Sequence, residues 1–501
     1  MGSPQAAVSD EGSPQSQNLG PQIKRAFGWS FLNNVLGRVG LFVSGVVLAH
    51  LLTPHDYGVF AVALVVLQVL MSLNDMGLSA AIIRWEGDLR VVARTATTLI
   101  VAASVALFAV MFVAAPAAAR ALNVPDGVGV LRLLAVGLII DGCFSVSATF
   151  LTREFRQGAR LSADMVNLVV STSVTIALAA NGYGAWSLAW GRIAGNTVSG
   201  LIILALSPLR VWPGFDRAHA RKLLSFGIPL VGSNLLGIAM LNVDYVVVGR
   251  VLGPVALGLY LMAFNLSSWP VNVFSFAVRR VSLAGFSRLQ NDHARMESAF
   301  ARSGALLMAA TIPVCALLAT LGLPLIRFVY GDKWQAAAGA LHFLAILGIA
   351  RVALELAYDL LVALGKSRAV LALQGAWVAA LIPALTVGAH IDGIRGVGVA
   401  HVFVALGLIA PAFAVALRRN GFGPASYLPS LTRPVLGGLV ITGVGVAAQL
   451  ALRGDIVELL VGGSAAGIAY LAIVYPMRHL LRSVLSKPAD AALPSQQPVA
   501  Q

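Results

Sequence analysis

Charge is scarce in this 501-residue chain: Asp, Glu, Lys and Arg together make up 11% of it, against about 25% in an ordinary soluble domain. A water-facing surface over most of the molecule is thereby excluded. Cysteine is nearly absent too. Cys143 and Cys315 both fall inside apolar runs, so neither a disulfide framework nor a cysteine metal site is expected. Signatures of catalysis and nucleotide binding are missing: there is no HExxH, no Walker P-loop, no CxxC pair, no GxSxG, and no loop with an acidic pair suited to metal–nucleotide sugar chemistry. Gly396-Val-Gly398 lies in an apolar run without the rest of a dinucleotide fingerprint. No metal, no cofactor and no enzymatic activity are expected, and any drive comes from an ion gradient or from supply and removal of substrate. Long polar loops are lacking as well. The longest gap on the arginine-poor side, about 323–337, is too short to form a domain, which argues against a membrane sugar polymerase or ligase.

What the chain has in abundance is apolar residues, 58% of the total, with a mean hydropathy of +0.84. A bilayer crossing takes about 20 of them. Fourteen spans are expected, at about 27–52, 57–79, 96–119, 128–151, 161–181, 184–207, 223–248, 254–278, 299–322, 338–364, 368–388, 395–417, 434–452 and 457–475. The fold class is therefore all-α and polytopic. Twenty-five Lys and Arg residues lie at the two termini and in the gaps after even-numbered spans, while seven lie in the other gaps. This bias puts both termini in the cytoplasm. It also explains the net charge of +14 through anionic membrane lipids rather than nucleic acid. Residues 1–22, polar and rich in Ser, Gln, Gly and Pro, lack the basic start and apolar core of a secretory signal and read as a disordered cytoplasmic tail.

The sequence resembles itself at an offset of 200. Leu52-Thr-Pro54-His-Asp-Tyr-Gly58-Val-Phe60 matches Leu252-Gly-Pro254-Val-Ala-Leu-Gly258-Leu-Tyr260, Asn34 meets Asn234, and Gly37 meets Gly237. Spans 1 and 7 start on the same side, so the halves are parallel repeats about an axis along the membrane normal, as in transporters that rock around a central site. The expected division is an N-lobe over 23–215 (spans 1–6), a C-lobe over 216–420 (spans 7–12), spans 13–14 over 421–476, and a cytoplasmic tail over 477–501.

Ionisable groups inside the bilayer are expensive and normally face a cavity or a partner. Arg38 lies about 16 Å into span 1, with Asn34 one turn before it on the same face. Arg351 is similarly deep in span 10, and Glu355 and Asp359 follow it on one face. Arg192 sits in span 6 within Gly191-Arg-Ile-Ala-Gly195, a pattern that also serves close helix packing. Asp141 is near the middle of span 4 and Asp244 in the later part of span 7. One reading is a water-filled cavity whose arginines hold an anionic group, since guanidinium donates two parallel hydrogen bonds to phosphate. The other pairs Arg351 with Glu355 or Asp359 as a structural ion pair.

Three stretches carry a family resemblance: Trp29-Ser-Phe-Leu-Asn-Asn34, Leu51-Leu-Thr-Pro-His-Asp-Tyr-Gly58, and Asn74-Asp-Met-Gly-Leu-Ser-Ala-Ala-Ile-Ile-Arg84. Together they resemble the start of bacterial oligosaccharide flippases of the polysaccharide transporter family, the Wzx and WzxC types, within the multidrug/oligosaccharidyl-lipid/polysaccharide exporter superfamily. Asp244-Tyr-Val-Val-Val-Gly-Arg-Val-Leu-Gly253 with Gly258-Leu-Tyr260 resembles the second-lobe counterpart. The resemblance implies two six-helix lobes in a V plus two C-terminal helices. It implies a bacterial inner-membrane protein that flips a polyprenyl-pyrophosphate-linked oligosaccharide by alternating access, for lipopolysaccharide or exopolysaccharide assembly. Substrate binding is placed on Arg38, Arg351, Arg192 and Asn34, and proton or sodium coupling on Glu355, Asp359, Asp244 or Asp141. A polysaccharide polymerase or export machinery is an expected partner. A cation-coupled multidrug exporter and a peptidoglycan-precursor flippase of the same superfamily are the alternatives.

Overall fold

The structure, a computed structural model, describes residues 40, 42–154, 156–207, 212–288 and 292–477; among them there are helices and no strands. Twelve described segments are long and apolar enough to cross a bilayer. One of these, residues 367–419, reverses at Asp392 and Gly393 and makes two crossings, while a shorter apolar helix, α1 (Phe42–Leu51), precedes them. The chain is a multi-pass membrane protein. Its first lobe continues with α2 (Pro54–Asp75), α3 (Leu89–Ala121), α4 (Val128–Arg153), α5 (Gln157–Ala180) and α6 (Ala185–Leu206). The second holds α7 (217–252), α8 (254–288), α9 (His293–Tyr330), α10 (Ala337–Ala363), α11 (367–391) and α12 (394–419). Finally α13 (Pro424–Ala451) and α14 (Asp455–Met477) pack against α9.

Local chemistry sets the turns. Thr53 caps α2: its hydroxyl accepts from the Asp56 N–H at 3.3 Å, and the Asp56 carboxylate accepts from the Thr53 N–H at 2.9 Å, satisfying donors that a helix start leaves open. Pro54 opens the helix where its missing N–H costs nothing. At the repeat-related site Gly253 takes φ 82°, a conformation glycine adopts without penalty, and Pro254 opens α8. Residues 388 and 396 are both glycine because α11 and α12 approach there backbone to backbone, and a Cβ on either would overlap the other's carbonyl.

The two copies of the repeat meet each other. A Cβ on Gly58 would overlap the carbonyl oxygen of Pro254, and a Cβ on Gly258 would overlap that of Pro54. Helices α2 and α8 therefore cross at a reciprocal glycine contact between the lobes, at the end whose gaps are poor in arginine. Three further contacts close this end. Trp334, fully buried, donates from Nε1 to the Ala49 carbonyl at 2.9 Å and sets its ring against Tyr57. Lys333 donates to the His50 carbonyl at 2.8 Å, and Arg250 to that of Ala121 at 3.1 Å. Partial burial holds the Lys333 ammonium below the usual lysine range, with Asp56 opposing.

At the arginine-rich end the lobes also touch. α2 stops at Asp75, earlier than the expected 79, because Met76 and Gly77 both turn to positive φ; a short helix, Leu78–Ile83, follows. Gly77 packs on Gly227 of α7, and Leu223 of α7 is buried with Leu78, Ile82 and Val92. Lys222 lies over the Trp85 ring and Arg84 over that of Phe226, contacts worth about 0.5–1 kcal/mol each at exposed sites. Residues 212–216 run along α3, with Thr98 and Thr95 bonding Gly214 and Asp216.

Several helices outrun their apolar cores. The expected span 96–119 is helical over 89–121 and the expected 299–322 over 293–330. The extra turns at the two N-terminal ends carry basic residues and are capped, Asp88 accepting from the Arg90 N–H and Asp292 from that of Arg295, and long basic side chains reach the interface from them. Apolar side chains such as Val113, Leu450 and Ile468 remain exposed, as a lipid-facing surface requires.

Candidate functional site

A cavity of about 710 Å³ lies inside the second lobe, between α7, α8, α10, α11 and α12. Its lining runs from Leu347 to Val362 on α10 and from Ser367 to Leu381 on α11, about 22 Å along the first helix and about 21 Å along the second. It is thus longer than it is wide and reaches toward the arginine-rich end, where Val362 and Leu371 are exposed.

Arg351 lines it about 21 Å along α10, with its guanidinium 5.8 Å from the Phe264 ring centre. Among the described residues no carboxylate forms an ion pair with Arg351. Glu355, one turn further, lines the same cavity, and Gln374 and Trp377 face in from α11. Asp359, a turn beyond Glu355, is buried and does not line it. A cation beside an aromatic face in a largely apolar chamber is well placed to take an anionic group, because Coulomb attraction strengthens as water is excluded.

Two of the lining residues, Asp244 and His401, belong to a buried polar network. The Tyr260 hydroxyl donates to Asp244 Oδ2 at 2.9 Å and lies 3.1 Å from His401 Nε2, which is 3.8 Å from the same carboxylate oxygen. Asp244 Oδ1 accepts from the Tyr245 N–H at 3.0 Å. With the one hydroxyl hydrogen given to Asp244, the contact to His401 takes the imidazole as donor through Nε2. Directly after His401, α12 widens into a π-helix over Phe403–Ile409, an irregularity found often at functional sites.

The other sequence candidates lie elsewhere. Arg192 on α6 and Asp141 on α4 act on each other electrostatically in the first lobe, with Asp75 nearby. Gly191 and Gly195 press against α5 at Thr175 and Ser171, so that pattern does serve packing. Arg38 and Asn34 lie outside the described residues. The structure thus brings Arg351, Glu355 and Asp244 to one cavity, sets Arg192 within electrostatic reach of Asp141 in the other lobe, and sets Asp359 apart. Sequence reasoning missed Tyr260, His401, Gln374 and Trp377. A signal for two of them exists: Tyr260 adds a hydroxyl where the repeat has Phe60, and His401 is a lone ionisable group in an apolar run.

Residues 47–339 match the family described as "Polysaccharide biosynthesis protein". The chain belongs to this family. It is 27% identical over 329 residues to the succinoglycan biosynthesis transport protein ExoT of Rhizobium meliloti (strain 1021), covering 65% of this chain and 66% of that one, just under two thirds of its length. It is 22% identical over 438 residues to the lipopolysaccharide biosynthesis protein WzxC of Escherichia coli (strain K12), covering 85% and 88%. Among solved structures, the lipid II flippase MurJ in an inward closed conformation has the same fold, with a TM-score of 0.73 at 14% identity over 90% of this chain and 99% of that one. An inward-facing multidrug resistance transporter of the MATE family shares it at a TM-score of 0.56 and 16% identity.

Proposed function

We propose that this polysaccharide biosynthesis family member moves a polyprenyl-diphosphate-linked oligosaccharide from the cytoplasmic to the outer leaflet of a bacterial inner membrane. The observation that carries this reading is Arg351: a guanidinium near the bilayer midplane, with no carboxylate in ion-pair contact among the described residues, in an elongated chamber reaching the arginine-rich end. By the positive-inside rule that end is cytoplasmic, and both termini lie there. The diphosphate is held by Arg351, the first sugars extend along the α10–α11 wall past Gln374 and Trp377, and the prenyl chain stays in lipid. Residues 23–215 and 216–420 move as the two lobes, with 421–476 carried by the second. Arg192, with Arg38 and Asn34, offers the headgroup a second stop in the first lobe. A sugar polymerase takes the product on the far side. The relatives named for succinoglycan transport and lipopolysaccharide biosynthesis support this cargo class.

Proteoliposomes loaded with a fluorescent undecaprenyl-diphosphate oligosaccharide provide the test, with enzymatic release of the sugar from the outer leaflet as readout. Removing one partner of a desolvated charge contact costs about 2–5 kcal/mol, so Arg351→Ala slows flipping by more than about tenfold, and Arg351→Lys by less. A normal rate in Arg351→Ala removes the arginine from the mechanism. A wild-type protein that leaves the lipid-linked sugar in place but moves an organic cation makes it a drug exporter instead.

A further inference from the structure

The wall of the Arg351 chamber includes Asp244 and His401, bridged from behind by Tyr260, three ionisable side chains that anion binding does not use. Asp244, Tyr260 and His401 come from three helices, α7, α8 and α12, and are hydrogen-bonded together out of reach of solvent. The ionisable groups facing them are few. α7 adds Tyr245, α8 adds none among its described side chains, α10 adds Arg351 with Glu355 and Tyr358 further along the chamber, and α11 contributes the neutral Gln374 and Trp377. Arg351 acts through space on Asp244, Tyr245, Tyr260 and His401 alike. The donor set suits a proton rather than a metal cation. Hard cations take about six or more oxygen ligands, whereas Asp244 and Tyr260 supply the side-chain oxygens here and the tyrosine's hydrogen is already committed. An aspartate bridged by a phenol to an imidazole gives one proton two basic sites.

We propose that this network is a proton site linked cooperatively to anion binding at Arg351, an inference that rests on the anion-site reading above. With the chamber empty, the Arg351 cation and the Asp244 carboxylate offset each other across it. A bound diphosphate diester brings two negative charges, takes up the arginine's field and leaves the carboxylate facing an anion in a medium of low dielectric constant. Taking up one proton, on Asp244 or on His401, removes that repulsion. Linkage is reciprocal: the factor by which the anion favours the proton is the factor by which the proton favours the anion. Headgroup and proton therefore occupy the chamber together, and competition between them is excluded.

The test is calorimetric, on the full-length protein in detergent, with P1-decyl-P2-glucosyl diphosphate as probe because its own charge is constant between about pH 5.5 and 8.5. In the wild type, affinity is about tenfold higher at the acid end, and titrations in buffers of different ionisation enthalpy show net proton uptake. Asp244→Asn, which imitates the protonated carboxyl, binds equally well at both ends of the range. His401→Gln, which keeps a donor toward Tyr260, has a reduced pH slope and serves if the Asp244 variant does not fold. A wild-type affinity that does not change with pH, or a slope that survives in both variants, overturns the proton site alone. No binding at any pH in the wild type overturns the anion-site reading and this inference with it.

Discussion

Asp216 shows how one exposed carboxylate holds the connecting segment between the lobes. It sits just before α7; its Oδ1 accepts from the His219 N–H at 2.8 Å, and His219 Nδ1 lies 2.8 Å from the same oxygen. These contacts, the backbone one foremost, hold its carboxyl below the usual aspartate range. A depressed folded-state value means stabilisation that is present above the ordinary aspartate pKa of about 3.9 and lost as pH falls through the depressed value. The melting temperature of the wild type should therefore exceed that of Asp216→Asn near neutral pH, and the gap should close on acidification toward about pH 3. A gap that stays constant removes the charge from the explanation. At this same scale the sequence was readable where a full charge interrupted an apolar run, as Arg351 and Asp244 do. At His401 and Tyr260 it carried only a faint signal, because a histidine or tyrosine in a span is ordinary until its neighbours from other helices are known. The choice between cavity and ion pair at Arg351 was equally closed to sequence, since i and i+4 proximity on a helix permits both.

Trp334 belongs to the scale of the element. It stands in the short turn Asp332–Trp334 between α9 and α10, yet its ring is buried in the opposite lobe under α1 and α2. Deleting a buried indole costs about 3–5 kcal/mol, here from the contact that shuts the arginine-poor end. Thiol labelling reads this out in a background lacking Cys143 and Cys315. A cysteine at Ala49, which is fully buried, should be unreactive with Trp334 intact and reactive in Trp334→Ala, while Trp334→Phe keeps the ring against Tyr57 and most of the protection. Labelling that ignores position 334 would deny the turn this role. Spans as elements were legible because hydropathy reports them directly. Their ends were not: a capped polar turn continues a helix past the apolar run, as at Asp88, and paired positive-φ residues stop it inside, as at Met76 and Gly77.

For the whole molecule the decisive place is the crossing of α2 and α8. Overpacking a tight contact costs about 1–3 kcal/mol, so Gly58→Ala and Gly258→Ala should each lower the melting temperature and slow flipping, and by similar amounts because their surroundings are copies. The double variant should lose less than the sum, since the first methyl already parts the helices. Gly375→Ala, with open space around its Cβ position, should do nothing. Unequal single effects, or strict additivity, would break the symmetry argument. The 200-residue offset announced the duplication in the sequence; that the duplicated motifs touch one another needed the coordinates.

This contact has the form of an isologous interface, in which residue i of one copy meets j of the other and j meets i, folded into a single polypeptide. A six-helix forebear presenting Pro and Gly four residues apart would have dimerised with itself through this face before the genes fused. At the seam each half is still the other's template, so a change fixed in one must be answered in its twin.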